Sequence, residues 1–153
     1  MILKQGDKAP DFTINDQDGR SHSLADYKGK KVALYFYPKD NTETCTKEAC
    51  NLRDNFAALK AKGVVILGVS PDNEKSHKKF ETKYALPFTL LADTEKELVN
   101  TYGIWQEKKF MGRTYMGVLR TTFLINEHGI IDHIIEKVES KDHAQQIIAT
   151  WGI

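Results

Sequence analysis

The feature that most limits how this chain can fold is a pair of short apolar runs, "KKVALYFYP" (residues 30–38) and "VVILGVS" (residues 64–70). Both are rich in β-branched or aromatic side chains and read as buried strands; Pro38 ends the first. Between them, "TKEACNLRDNFAALKAKG" places Ala49, Leu52, Phe56 and Leu59 at helical spacing, and Gly63 stands where a C-cap would. A strand, a helix and a second strand in that order call for an α/β sheet.

The remaining segments fit the same plan. Upstream, "TINDQDGRSHSL" turns at Asp18-Gly19 between two short extended runs. Downstream, "NEKSHKKFETKYA" reads as an amphipathic helix, "FTLLAD" as a short strand, and "TEKELVNTYG" as a short helix capped by Thr94. The stretch "RTTFLINEHGIIDHIIEKV" alternates and turns at His128-Gly129, a hairpin, and "KDHAQQIIATWGI" is a closing helix. The late hairpin makes the sheet mixed, with helices expected on both faces. This is the element order of a thioredoxin-like fold. At 153 residues the chain fits one compact domain, residues 1–153.

The only two cysteines, Cys45 and Cys50, fall in the first helical stretch. If the helix begins near Thr44, Cys45 sits in its first turn. Free backbone N–H groups and the positive end of the helix dipole then favour thiolate over thiol. Cys50 is expected to be the more buried of the two, on a face near Ala49 and Phe56. Five residues advance a helix by about 7.5 Å and turn it by about 140°, leaving the two Cα atoms roughly 8–9 Å apart. A disulfide needs them within about 7 Å. The pair cannot be bridged while the helix is intact, so catalysis, redox exchange and plain burial of two small apolar groups all stay open.

Other function classes find little support. A formal net charge of +1, with lysine pairs interleaved among acids, gives no basic stripe for nucleic acid. The N-terminal stretch "MILKQGDKAPDF" shows no apolar h-region, and the longest apolar run is far too short to span a bilayer, so a cytoplasmic protein without a membrane partner is expected. The five histidines (His22, His77, His128, His133, His143) have no metal-ligand spacing to the cysteines, and each reads as a surface or hairpin residue. No metal or cofactor is expected. A C-x-x-C motif is absent.

The segment "YFYPKDNTETCTKEACNLRD" resembles the peroxidatic-cysteine motif of the peroxiredoxins, in the bacterioferritin comigratory protein, or PrxQ, branch. Its pattern, Pro-x3-Thr-x2-Cys, is filled by Pro38, Thr42 and Cys45, and "RTTFLIN" matches the family strand that carries an arginine, here Arg120. "GDKAPDF", "LGVSPD" and "LPFTLLAD" match as well, so the resemblance covers nearly the whole chain. It implies a thioredoxin-like α/β fold with a central mixed sheet flanked by helices and a peroxiredoxin N-terminal extension.

The resemblance also implies a reaction. Cys45 thiolate would attack hydrogen peroxide or an organic hydroperoxide and become a sulfenic acid, in an antioxidant role. Arg120 would stabilise the thiolate and hold the peroxide oxygens, Thr42 would offer a hydroxyl to them, and Pro38 would shape the loop and screen the sulfur from water. Cys50 would resolve the sulfenic acid as a Cys45–Cys50 disulfide, once the helix unwinds, for reduction by thioredoxin or a similar dithiol. The branch is commonly monomeric.

Where that branch usually has Pro-Gly before the cysteine, this chain has Glu43-Thr44. Glu43 would set a negative charge near the sulfur while suiting a helix first turn, and Thr44 would cap that helix. A protein thiol–disulfide oxidoreductase and a redox sensor or adaptor use the same switch and are the alternatives. The segment "IWQEKKFMGRTYMG" is either a loop or hairpin packed on the domain or a lining of the peroxide entrance.

Overall fold

The computed structural model describes residues 3–153; Met1 and Ile2, the start of the stretch read for a signal sequence, fall outside the described residues. Two short strands, β1 (Thr13–Asn15) and β2 (Ser21–Ser23), form the first hairpin. The chain continues through β3 (Lys31–Phe36), α1 (Glu43–Asp54), α2 (Phe56–Ala61), β4 (Val64–Ser70), α3 (Glu74–Tyr84), β5 (Thr89–Ala92) and α4 (Glu97–Thr101). It ends with β6 (Trp105–Phe110), β7 (Arg113–Val118), β8 (Thr121–Ile125), β9 (Ile131–Ile135) and α5 (His143–Trp151).

The central sheet has the order β5-β4-β3-β8-β9. Strands β3, β4 and β5 run parallel, and β8 and β9 add antiparallel beside β3, so the sheet is mixed. Alternation along β3 divides the core. Val32, Leu34 and Phe36 face one apolar cluster, while Ala33 and Tyr35 face another with Ala49, Leu52, Leu59 and Ile147. The helices are unequally shared. α1, α2, α3 and α5 pack on the second face, and only α4 joins the N-terminal segment on the first. Two successive crossovers, β3 to β4 and β4 to β5, step the same way along the sheet, and the single hand that such connections take places their helices on one face.

Two local details differ from the pattern read in the sequence. The expected single helix is interrupted at Asn55 (φ −111°, ψ 12°). The Asn55 side chain donates to the Asn51 carbonyl (2.8 Å) and competes with the helical ladder. The N-terminus of α4 is held by Asp93 and not by Thr94: Leu98 and Val99 N–H donate to the buried Asp93 carboxylate (3.1 and 2.9 Å). Residues 105–118, expected as a loop or hairpin or as an entrance lining, form a separate two-stranded hairpin, closed by Met111-Gly112 with positive φ at both (50° and 76°), as a two-residue hairpin turn demands. Among the described residues no helix is long and apolar enough to cross a membrane.

Packing at the middle of the sheet is tight. A Cβ on Gly68 would lie 2.9 Å from the Tyr35 ring and 2.9 Å from a Leu90 methyl. A Gly68→Ala variant is therefore expected to lose about 1–3 kcal/mol in denaturant unfolding, since neither neighbour has room to retreat. Unchanged stability would show that this layer is looser than its distances imply.

Candidate active site

Register brings the site together. Phe36, the last residue of β3, pairs with Thr121, the first of β8, so Arg120 lies beside the loop that leaves β3. That loop, residues 37–42, turns the chain into α1, whose first turn contains Cys45. Two groups 75 residues apart in sequence thereby meet: Arg120 Nη2 donates to Cys45 Sγ at 3.2 Å. Arg120 Nη1 donates to Glu48 Oε1 at 2.7 Å. The planar fork thus bridges the sulfur and a carboxylate.

Burial of the two thiols is the reverse of expectation. Cys45 is buried and Cys50 only half-buried; both are free. Cys45 belongs to the stripe of α1 with Glu48, Ala49 and Leu52 that faces the sheet. Cys50 lies about 140° around the helix from Cys45, on its flank. The helix begins at Glu43, so Thr42 and not Thr44 occupies the N-cap position. The Thr42 carbonyl accepts from Thr46 N–H (2.8 Å), and its hydroxyl donates to Lys39 O (2.8 Å). Glu43 is exposed and its carboxylate is held by Lys47 (2.9 Å), which keeps its carboxyl below the usual range. Pro38 is half-buried in the loop.

Glu48 is the participant that the residue pattern missed. Its side chain is fully buried, and its Oε2 has no hydrogen-bond partner among the described residues. Burial pushes the carboxyl up from 4.5 to about 7, against the pull of Arg120. Behind it stands His143, also fully buried, with Nε2 3.6 Å from Glu48 Oε2. His143 bonds Thr122 Oγ1 (2.8 Å) and Gln146 Oε1 (2.9 Å), and burial pushes it down to about 4. The available signal was position: an acid three residues after Cys45 shares its helix face, within an otherwise apolar stripe.

This pair sets a testable pH dependence. Between about pH 4.5 and 7 the folded protein keeps a proton on Glu48 that the unfolded chain has lost, so this group lowers stability as pH rises. Between about pH 4 and 6.5 the unfolded chain carries a proton on His143 that the folded protein lacks, so this group raises stability as pH rises. The two slopes oppose each other where the windows overlap. A Glu48→Gln variant retains only the second. Relative to the parent chain, its stability is expected to fall on acidification from pH 6.5 by about 1.4 kcal/mol per unit. Parallel stability–pH curves for the two proteins would remove Glu48 as a buried proton carrier.

The loop itself is fixed by a second buried histidine, contrary to the surface placement expected of His77. Asp40 accepts from Tyr37 Oη (2.6 Å), Ser76 Oγ (2.8 Å) and His77 Nδ1 (2.6 Å), and its N–H donates to Asp72 (2.8 Å). Asp40, Asp72 and His77 form a group with ligand atoms within 4.8 Å of one another. His77 Nε2 is taken by Leu91 O (2.9 Å) and Asp72 also holds Ser70, so hydrogen bonds account for the cluster as an anchor of the loop.

A cavity of about 630 Å³ opens beside Arg120, walled by Leu3, Tyr102, Ile104, Leu119 and Phe123. The hairpin of β6 and β7 contributes Gln106 and Lys108 to it, whereas Phe110, Met111, Tyr115 and Met116 stand exposed and are not among the residues that wall it.

The arrangement is a buried thiol, charge-assisted by a guanidinium, at a helix N-terminus. It suits nucleophilic sulfur chemistry on a small polar substrate. The chain as a whole is similar to known proteins. The AhpC/TSA family matches residues 5–134. Peroxiredoxin Bcp of Bacillus subtilis is 44% identical over 98% of this chain and 96% of its own. Peroxiredoxin Bcp of Escherichia coli is 43% identical over 97% and 95%. A cysteine mutant of Xylella fastidiosa PrxQ superposes with a TM-score of 0.93 at 26% identity, covering 99% and 97% of the two chains. A bacterioferritin comigratory protein of Xanthomonas campestris, described for alkyl peroxide reduction, gives 0.86 at 30% identity over 92% and 90%.

Proposed function

The chain belongs to the AhpC/TSA family, in its Bcp/PrxQ branch of thiol peroxidases, and from this premise we propose that Cys45 is the peroxidatic nucleophile and Cys50 its resolving partner. It is a peroxiredoxin, an antioxidant oxidoreductase on a thioredoxin-like fold, and the family implies a peroxide substrate and a thioredoxin-type reductant. Relatives named as peroxiredoxins do not favour the sensor or protein-oxidoreductase alternatives.

The observation that carries the residue assignment is the 3.2 Å contact between Arg120 and Cys45. Cys45 thiolate attacks one peroxide oxygen; the S–O bond forms as the O–O bond breaks, and the departing alkoxide or hydroxide takes up a proton. Arg120 stabilises the thiolate and the charge spreading onto the oxygens. Thr42, whose hydroxyl hydrogen is committed to Lys39 O, has lone pairs left to accept the peroxide O–H. Pro38 shapes the loop without presenting an N–H.

Cys50 thiol then attacks the Cys45 sulfenic sulfur, forming the S–S bond and releasing water. A dithiol protein restores both thiols. Residues 1–153 act as one domain, as a monomer in the cytoplasm, and neither nucleic acid nor membrane takes part.

The test is the intact mass of the reduced protein after one equivalent of hydrogen peroxide, with free thiols counted. Loss of two hydrogens and both thiols without a dimer is the expected result. An unchanged mass with both thiols free would sink the assignment of Cys45 and Cys50.

A further inference from the structure

Helix α3 treats its lysines unequally. Lys78 is paired twice, with Asp18 (2.8 Å) and Glu81 (2.6 Å). Lys75, Lys79 and Lys83 are exposed, and none has a carboxylate within salt-bridge distance among the described residues. Their spacing of four residues sets them in one row about 12 Å long. The row borders an open groove of about 510 Å³, with Asn41 and Asn73 on its rim. The one carboxylate lining the groove, Asp40, is engaged by Tyr37, Ser76 and His77, so in a chain of net charge +1 the row is a local excess of positive charge.

The row also adjoins the moving part of the site. Asn41, one residue before Thr42, accepts from Lys83 Nζ (3.2 Å) and from Tyr84 Oη (3.1 Å). From the other side, Arg53 of α1 donates to Tyr84 O (2.8 Å). The end of α3 is thereby held against both the loop that enters α1 and the end of α1 beyond Cys50. A partner seated on the row would stand beside the segment that carries the Cys45–Cys50 disulfide.

We propose that Lys75, Lys79 and Lys83 form the docking row for an acidic face of the protein dithiol that reduces the enzyme. The inference rests on the Cys45–Cys50 cycle. A row of three separated cations matches a protein face better than a single small anion, and exposed charges of this kind act mainly on encounter and orientation. Once docked, a thiolate of the partner attacks one sulfur of the disulfide. A mixed disulfide forms, and the other enzyme sulfur leaves as a thiolate and is protonated. The partner's second thiol then attacks the partner's own sulfur in that mixed disulfide; the partner's disulfide closes and the remaining enzyme sulfur leaves and is protonated, so two electrons and two protons pass to the enzyme.

The experiment oxidises the full chain with one equivalent of peroxide, confirms the disulfide, and then follows its reduction. The reductants are a thioredoxin of net negative charge at the assay pH and, separately, dithiothreitol. Three proteins are compared: the parent chain, Lys75→Glu/Lys79→Glu, and Lys60→Glu/Lys62→Glu, which makes the same charge change on α2 and its C-cap. The row variant is expected to be reduced by thioredoxin about tenfold more slowly at low salt through a raised KM, an effect that fades as salt screens the charges. Its reaction with peroxide and with dithiothreitol should match the parent, and the α2 variant should match throughout. Equal loss in the α2 variant, or no loss in the row variant, overturns the docking row alone. A loss confined to the peroxide step overturns it too and assigns the groove to an anionic peroxide. Failure of the parent chain to form the disulfide would instead sink the cycle on which the row depends.

Discussion

An Arg120→Met variant is expected to react with peroxide some 10²- to 10³-fold more slowly than the parent, read as single-turnover loss of thiols. Methionine keeps much of the volume and removes the fork. The Cys45 sulfur loses its donor at 3.2 Å, and no fixed cation remains to meet the charge developing on the peroxide oxygens. Glu48 loses its partner at 2.7 Å in the same step. An unpaired buried carboxylate is costly, and protonation is its escape, so the variant should fold with Glu48 neutral. Arg120→Lys separates charge from geometry. One ammonium on a flexible stem cannot reproduce the planar fork that serves both the sulfur and the carboxylate, so a rate between the two is expected. Full activity in Arg120→Met would remove the guanidinium from the chemistry and leave the helix N-terminus as the remaining source of thiolate stabilisation.

The same pairing marks where sequence reasoning reached and where it stopped. The sheet was legible because its strands are nearly continuous apolar runs, and the Pro38–Thr42–Cys45 spacing with Arg120 was legible as a motif. Glu48 was not, because a glutamate inside a helix is ordinarily solvated. Only the tertiary fold reveals that its face is the buried one and that a guanidinium waits there. His77 and His143 failed for the same reason: isolated histidines carry no signal until their partners, Asp40 and Thr122, are brought within hydrogen-bond distance. The interruption at Asn55 and the cap by Asp93 are choices between neighbouring polar side chains, which spacing alone leaves undecided. The lysine spacing on α3 was visible in the sequence. The difference between paired Lys78 and its unpaired neighbours depends in part on Asp18, 60 residues away, beside the local partner Glu81.

A Cys50→Ser variant is expected to complete the first step at the parent rate and then stop, with sulfenic acid held at Cys45 and no turnover supported by a protein dithiol. The geometry says why the second thiol leaves the first step untouched. Cys50 lies on the flank of α1, whereas Cys45, Glu48 and Arg120 meet on its buried face, so loss of one sulfur atom disturbs none of their contacts. It also says which part of the helix must give way before the two sulfurs can join. Just beyond Cys50, Asn51 is tied to the C-terminal region, donating to Lys141 O (2.8 Å) and accepting from Ala144 N–H (2.7 Å). The opposite end is lightly held: Thr42, Glu43 and Thr44 are exposed, and the bond between Glu43 and Lys47 is an exposed contact of small worth. On the proposed cycle, the first turns are therefore expected to unwind toward Cys50, carrying Cys45 out of its pocket. Trapping the sulfenic acid with a dimedone-type reagent reads the outcome directly. Labelling at Cys45 in Cys50→Ser, and little in the parent, is the expected pattern. Continued multiple turnover of Cys50→Ser with a protein dithiol would mean that the partner itself resolves the sulfenic acid, leaving the spacing of the two cysteines without a catalytic role.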